Sequence, residues 1–208
     1  MSDRPKRQAT LRYDTTAIVF HWLTAILIGT VYCLGQLRFI GGRGSVLNHL
    51  MVSSHYALGL GVGAIILLRL AWRATHKAPE HEKGLMGLAA YAGHVVLYLL
   101  MIAIVVFGIL LKWQGGHAIP VFGLFQVPPL INLSMISRRT LFSMHAFAAN
   151  GIVIVVGLHA AAALLHHYVL RDDILHRMIP FNWRLPRSRR ITVWVAQARR
   201  ALRDARII

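Results

Sequence analysis

The chain is almost without cysteine and poor in acid. Its 208 residues include a single cysteine, Cys33, set inside an apolar run. That excludes an internal disulfide, a cysteine-based zinc or iron–sulfur site, and thioether attachment of a cofactor through C-x-x-C-H. Aspartate and glutamate number 7 against 23 lysines and arginines, giving a formal net charge of +16. On a soluble domain that charge would suggest nucleic acid. Here only 14% of residues are charged, 56% are hydrophobic and the mean hydropathy is positive. This is the profile of a small polytopic membrane protein. The basic residues sit between and after apolar spans, where topology and lipid headgroups account for them. No nucleic-acid partner is expected.

Four stretches meet the rule of about 20 mainly apolar residues per crossing: Thr16–Leu37, Val52–Trp72, Leu88–Leu111 and Met144–Leu170. The first and third connections carry Arg38, Arg43, Lys112, Arg138 and Arg139, whereas the other 18 basic residues lie in the N-terminus, the middle connection and the C-terminal tail, counting Arg69 and Arg73 at the cytoplasmic end of the second span. That asymmetry predicts both termini in the cytoplasm. The first apolar run is too long, and too rich in histidine, for a cleaved signal peptide, so no processing is expected. The stretch from Lys112 to Ser143 holds Gly115, Gly116, Pro120, Pro128 and Pro129. It reads as a loop with an interfacial turn around Phe122–Phe125 and not as a fifth span. The outer connections contain no acidic residue. Two readings fit: a field that gathers anions, or simple headgroup anchoring. Residues 1–180 form the membrane domain. In 181–208, Ile191, Trp194, Val195, Ala198, Leu202 and Ala205 recur at helical steps among arginines, which fits an amphipathic helix on the cytoplasmic leaflet or a disordered basic tail. The expected fold is an all-α, integral membrane four-helix bundle with both termini cytoplasmic and a C-terminal amphipathic helix. No internal repeat stands out.

The spans carry ionisable groups of a particular kind. Imidazole in hydrocarbon is costly and marks a functional site. Of 12 histidines, His145 and His159 lie on the fourth span, 14 residues apart. At 1.5 Å per residue that is about 21 Å of depth, and at 3.5 residues per turn both rings share one face. His21 begins the first span and His55 the second, so two level pairs result: His55 with His145 outside, His21 with His159 inside. The spans contain no carboxylate, which argues against a structural metal. Two non-covalent b-type haems need only these four axial imidazoles. Small residues beside the rings (Ala25 and Gly29, Gly59 and Gly63, Ala148 and Ala149, Ala162 and Ala163) would make room for a flat macrocycle, or merely promote close helix packing.

The remaining histidines are weighed against these. His94 stands near the cytoplasmic end of the third span, and the residue 14 further on is Gly108. That span therefore offers one imidazole at most, a propionate or quinone contact more than a ligand. Arg69 follows His55 by 14 residues, which places it by the inner haem; it pairs with a propionate or snorkels. His166 is on the His159 face near the surface, where it meets either a quinone carbonyl or headgroups. His167 faces elsewhere. His49 is expected in a loop, and His76, His81, His117 and His176 in solvent or among headgroups.

These residues resemble the prokaryotic cytochrome b561 family. The resemblance runs nearly to Pro180 and rests on Phe20-His21-Trp22, on His55 with Gly59 and Arg69, and on Gly93-His94 with Tyr98 and Gly108. The fourth span is closest: His145, the run GLHAAAALLHHY from Gly157 to Tyr168, then Arg177-Met178-Ile179-Pro180. In that family the haem-ligand positions fall on His21, His55, His145 and His159. The resemblance implies a bacterial inner-membrane location, superoxide arriving at the outer haem, and ubiquinone reduced near His166 on the cytoplasmic side. The protein would then be a superoxide:ubiquinone oxidoreductase. The rival is a cytochrome b anchor passing electrons between a peripheral dehydrogenase or hydrogenase and quinone; a non-haem transport or scaffold protein is a third reading.

Overall fold

The computed structural model describes residues 12–76 and 84–180. Four long helices carry the fold: α1 (Thr15–Leu37), α2 (Val46–Thr75), α3 (Leu85–Gln114) and α4 (Arg138–Leu165). Each is long and apolar enough to cross a membrane. They form a four-helix bundle. Consecutive helices run antiparallel as two hairpins, α1–α2 and α3–α4, which are the closest-packed pairs and meet mainly through α2 and α3. Large apolar side chains such as Ile26, Leu67, Leu99 and Phe147 remain exposed around the outside, as a lipid-facing surface requires.

Helices α2 and α4 start six residues before the apolar windows Val52–Trp72 and Met144–Leu170. Hydropathy finds the hydrocarbon slab, but a helix continues until its first amides are capped. Ser45 accepts from the Asn48 amide and Ser137 from the Thr140 amide. His49 thus belongs to α2 and not to a loop. His55 lies more than two turns inside that helix instead of at its start.

Between α3 and α4 the expected loop contains a small antiparallel hairpin, β1 (Ile119–Val121) and β2 (Phe125–Val127), paired Ile119 with Val127. Its turn places Phe122 at φ 48 and Gly123 at φ 75, and the Leu124 amide donates to Val121 O at 2.9 Å. Two positive φ values are the pattern of a type I′ turn, whose twist suits a hairpin. The strands are a local departure from the all-α expectation and fall where it placed an interfacial turn. At the opposite end, the segment after α4 returns to the start of α1: Trp22 Nε1 donates to Met178 O at 2.8 Å and Arg12 Nη2 to Ile179 O at 2.8 Å. The amphipathic helix expected in 181–208, and His81, lie outside the described residues.

The core is a mid-depth layer. Val62, Ile66, Met101 and Ile152 form the buried cluster, with Ile28 packed against it. Ile152 is seven residues from both His145 and His159, Val62 seven from both His55 and Arg69, Met101 seven from both His94 and Gly108, and Ile28 seven from both His21 and Gly35. Seven residues rise about 10 Å, so apolar packing separates two polar levels. An Ile152→Ala substitution is expected to lower stability by about 2 kcal/mol, the lower part of the range for soluble cores, because lipid replaces water as the reference. Thermal unfolding in detergent would register it.

Candidate functional site

The level nearer the β-hairpin holds His55 and His145. Their ring centroids are 6.1 Å apart at an interplanar angle of 74°. Both have their Nδ1 fixed in the same way. His55 Nδ1 lies 2.9 Å from Val31 O of α1, and His145 Nδ1 lies 3.0 Å from Ile104 O of α3. A carbonyl only accepts, so each Nδ1 carries the proton and each Nε2 keeps its lone pair. This is the tautomer and support that a metal-bound imidazole requires. Lys112 covers the Tyr56 ring, 4.7 Å from its centroid, beside His55. The Arg38 guanidinium donates to Gly35 O and lies 4.4 Å from the Phe39 ring centroid.

The level nearer the chain termini is less symmetric. His21 and His159 have centroids 6.3 Å apart at 56°. His94 lies closer to His159, 5.5 Å at 72°, with its Nδ1 2.7 Å from Ala90 O. Arg69 Nη2 is 3.3 Å from His21 Nδ1, and the Arg69 guanidinium lies 5.5 Å from the Tyr98 ring centroid. With Tyr13, Phe20, Trp72 and Arg73, Arg69 and Tyr98 also line a crevice at this end. The structure therefore brings together His21, Arg69, His94 and His159.

Haem can be tested against this geometry. Imidazole–metal bonds of about 2.0 Å put the centroids of two trans rings about 6.3 Å apart. The separations of 6.1 and 6.3 Å match. The 5.5 Å between His94 and His159 is short for such a pair. Among the described residues no group of three or more His, Cys, Asp or Glu could hold a metal ion. Of the small residues, Gly63 packs on Val105, where an added Cβ would meet Cγ1 at 3.1 Å, whereas Gly29 and Gly59 have nothing within 4 Å. The packing reading holds for Gly63. Open space lies beside the other two.

His166 is set apart from both levels. Its amide still caps α4, donating to Ala162 and Ala163. From there the chain widens into a π-helical turn, His166–Leu170, and Arg171 adopts a left-handed conformation at φ 59. This brings Asp172 back onto His166, whose Nδ1 donates to Oδ2. The same turn buries His167 completely against Tyr168 at 4.7 Å and His176 at 5.0 Å between centroids. His167 is a packing residue and His176 is half-buried against it: the spacing argument assumed an unbroken α-helix and missed both. It also missed Asp172, whose partner six residues away appears only once the helix changes pitch. His21-x13-Gly35 mirrors His94-x13-Gly108, but the spacing alone gives Gly35 no role.

The prokaryotic cytochrome b561 family matches residues 12–181. Among similar proteins, the "Probable superoxide oxidase CybB" of Yersinia pestis is 34% identical over 173 residues, covering 81% of this chain and 96% of the relative. "Cytochrome b561 homolog 2" of Escherichia coli (strain K12) is 30% identical over 171 residues, covering 81% and 91%. "Cytochrome b562" of Cereibacter sphaeroides is 28% identical over 174 residues, covering 80% and 94%. Haem b is the cofactor this membership implies, and the imidazole geometry fits it. Purified protein should show b-type bands in a reduced-minus-oxidised spectrum. Acid acetone should extract all of the haem, because one cysteine cannot form a thioether pair. The family match spans nearly the whole described bundle and agrees with its four apolar helices and paired imidazoles: the chain belongs to the prokaryotic cytochrome b561 family of haem-binding membrane electron-transfer proteins.

Proposed function

We propose that the chain carries electrons from superoxide, at the face bearing the β-hairpin, to ubiquinone near the face bearing the termini. On this reading His55 and His145 are the axial ligands of an outer haem b, and His21 and His159 those of an inner one. The termini lie in the cytoplasm of a bacterium whose inner membrane the bundle crosses. The observation that carries the proposal is the stacking of two imidazole pairs, each at trans-ligand separation, two heptads apart on α4. Held by these four imidazoles, the haems would supply reversible one-electron storage at two depths.

The residues divide the remaining work. Arg38, Arg43, Lys112, Arg138 and Arg139 make the outer connections wholly basic, which draws an anionic radical inward and can raise encounter rates by about 10–10³. Two superoxide anions give up one electron each and leave as dioxygen; one quinone takes two electrons and two protons. His166 faces the quinone, and Asp172, accepting from its Nδ1, leaves Nε2 free to exchange a proton with a quinone oxygen. Arg69, a donor only that lies 3.3 Å from His21 Nδ1, would pair with a propionate of the inner haem. His94 would contact the same inner site.

Enzymatically generated superoxide, fed to purified protein with ubiquinone, should reduce the haems within the mixing time and yield quinol. The rate should fall as ionic strength rises, since exposed charges are screened beyond about 8 Å at 0.15 M. Inert haems that co-purify with a peripheral redox subunit would instead establish the anchor reading. His55→Ala and His145→Ala should each remove the same haem, and His21→Ala and His159→Ala the other. Spectra of the four variants that show any other grouping contradict the pairing.

A further inference from the structure

The two hairpins are built alike at the outer level, down to a glycine. A side chain on a helix leans toward the N-terminus and covers the carbonyl four residues back. At Gly35 there is no side chain, so the Val31 carbonyl is open to His55 Nδ1 at 2.9 Å. At Gly108 the Ile104 carbonyl is open in the same way to His145 Nδ1 at 3.0 Å. A Cβ added at Gly35 would lie 3.2 Å from His55 Cε1 and 3.3 Å from Nδ1. One added at Gly108 would lie 3.2 Å from His145 Cε1 and 3.4 Å from Nδ1. These distances are inside ordinary van der Waals contact, so either ring would have to give way by a few tenths of an ångström. The inner level has nothing equivalent: Gly93 and Gly157, beside His94 and His159 in sequence, have no atom within 4 Å of an added Cβ.

We propose that Gly35 and Gly108 are paired positioning residues that seat the outer imidazoles and, through the exposed carbonyls of Val31 and Ile104, hold the outer haem's potential down. The inference rests on the ligand reading above and adds the residues that tune it. A hydrogen bond from Nδ1–H to a carbonyl makes an imidazole a more basic ligand, and a more basic ligand favours ferric over ferrous iron. A methyl group at either glycine pushes the ring off its carbonyl and turns its plane. The bond weakens, and the angle between the two ring planes departs from 74°. The equivalence of the hairpins makes the effect two-sided: one alanine acts on His55, the other on His145, and both act on the same haem.

The test compares Gly35→Ala, Gly108→Ala and, as a control on α2, Gly61→Ala, whose added Cβ meets nothing within 4 Å. Purified holoprotein is titrated redox-optically, and ferric low-spin EPR is recorded. The outer component is the one that His55→Ala removes. Both glycine variants should raise its potential and move its largest g-value, with the inner component and the Gly61 variant unchanged. Alanine is the better helix former, which favours intact helices; if one variant does not accumulate, the other tests the same statement. Loss of the outer haem alone, with the inner retained, supports the same role. Unchanged outer signals, or equal shifts at both haems, overturn it. A wild-type protein without any bis-imidazole signal sinks the ligand reading, and this inference with it.

Discussion

An imidazole inside a bilayer must satisfy two ring nitrogens where water is absent. That constraint organises the structure. At the level nearer the β-hairpin each Nδ1–H is given to a main-chain carbonyl of the neighbouring helix, which leaves the lone pair on Nε2 of His55 and of His145, whose ring centroids are 6.1 Å apart. Everything at that level follows from the approach it demands: glycine opposite each ring, α1 held against α2, and α3 against α4. The inner level solves the same problem differently. There Arg69 contacts His21, and His94 lies 5.5 Å from His159 between ring centroids.

The heptad connects the two. Since 14 residues make four turns of a left-handed bundle, one register on α4 fixes both pairs. The same register on the other helices puts Val62, Met101 and Ile28 level with Ile152. The apolar layer is thus a consequence of the histidine spacing as well as the packing core. It keeps the two polar levels about 20 Å apart.

Much of this was legible in the sequence. His145 and His159 announce themselves because periodicity survives as long as the helix is regular. Charge asymmetry and span length gave the four helices, and the level pairing of His21 and His55 followed from antiparallel order. What stayed hidden depends on contacts between elements. Gly35 looks like any glycine until α2 is placed opposite it. Ser45 and Ser137 extend helices past their apolar windows, which moved His49 into α2. The π-helical turn after Leu165 rotated His167 into the interior and brought Asp172 to His166, a change of pitch that no hydropathy pattern signals.

The central claim is that one chain presents two separate bis-imidazole iron sites. Haem quantitation per chain, combined with EPR of the fully oxidised protein, tests it most directly. The account predicts about two haems b per chain, the number set by two trans pairs, with both ferric signals low-spin and distinct. A single haem per chain, or a high-spin ferric signal from a site with an open coordination position in intact protein, would contradict it.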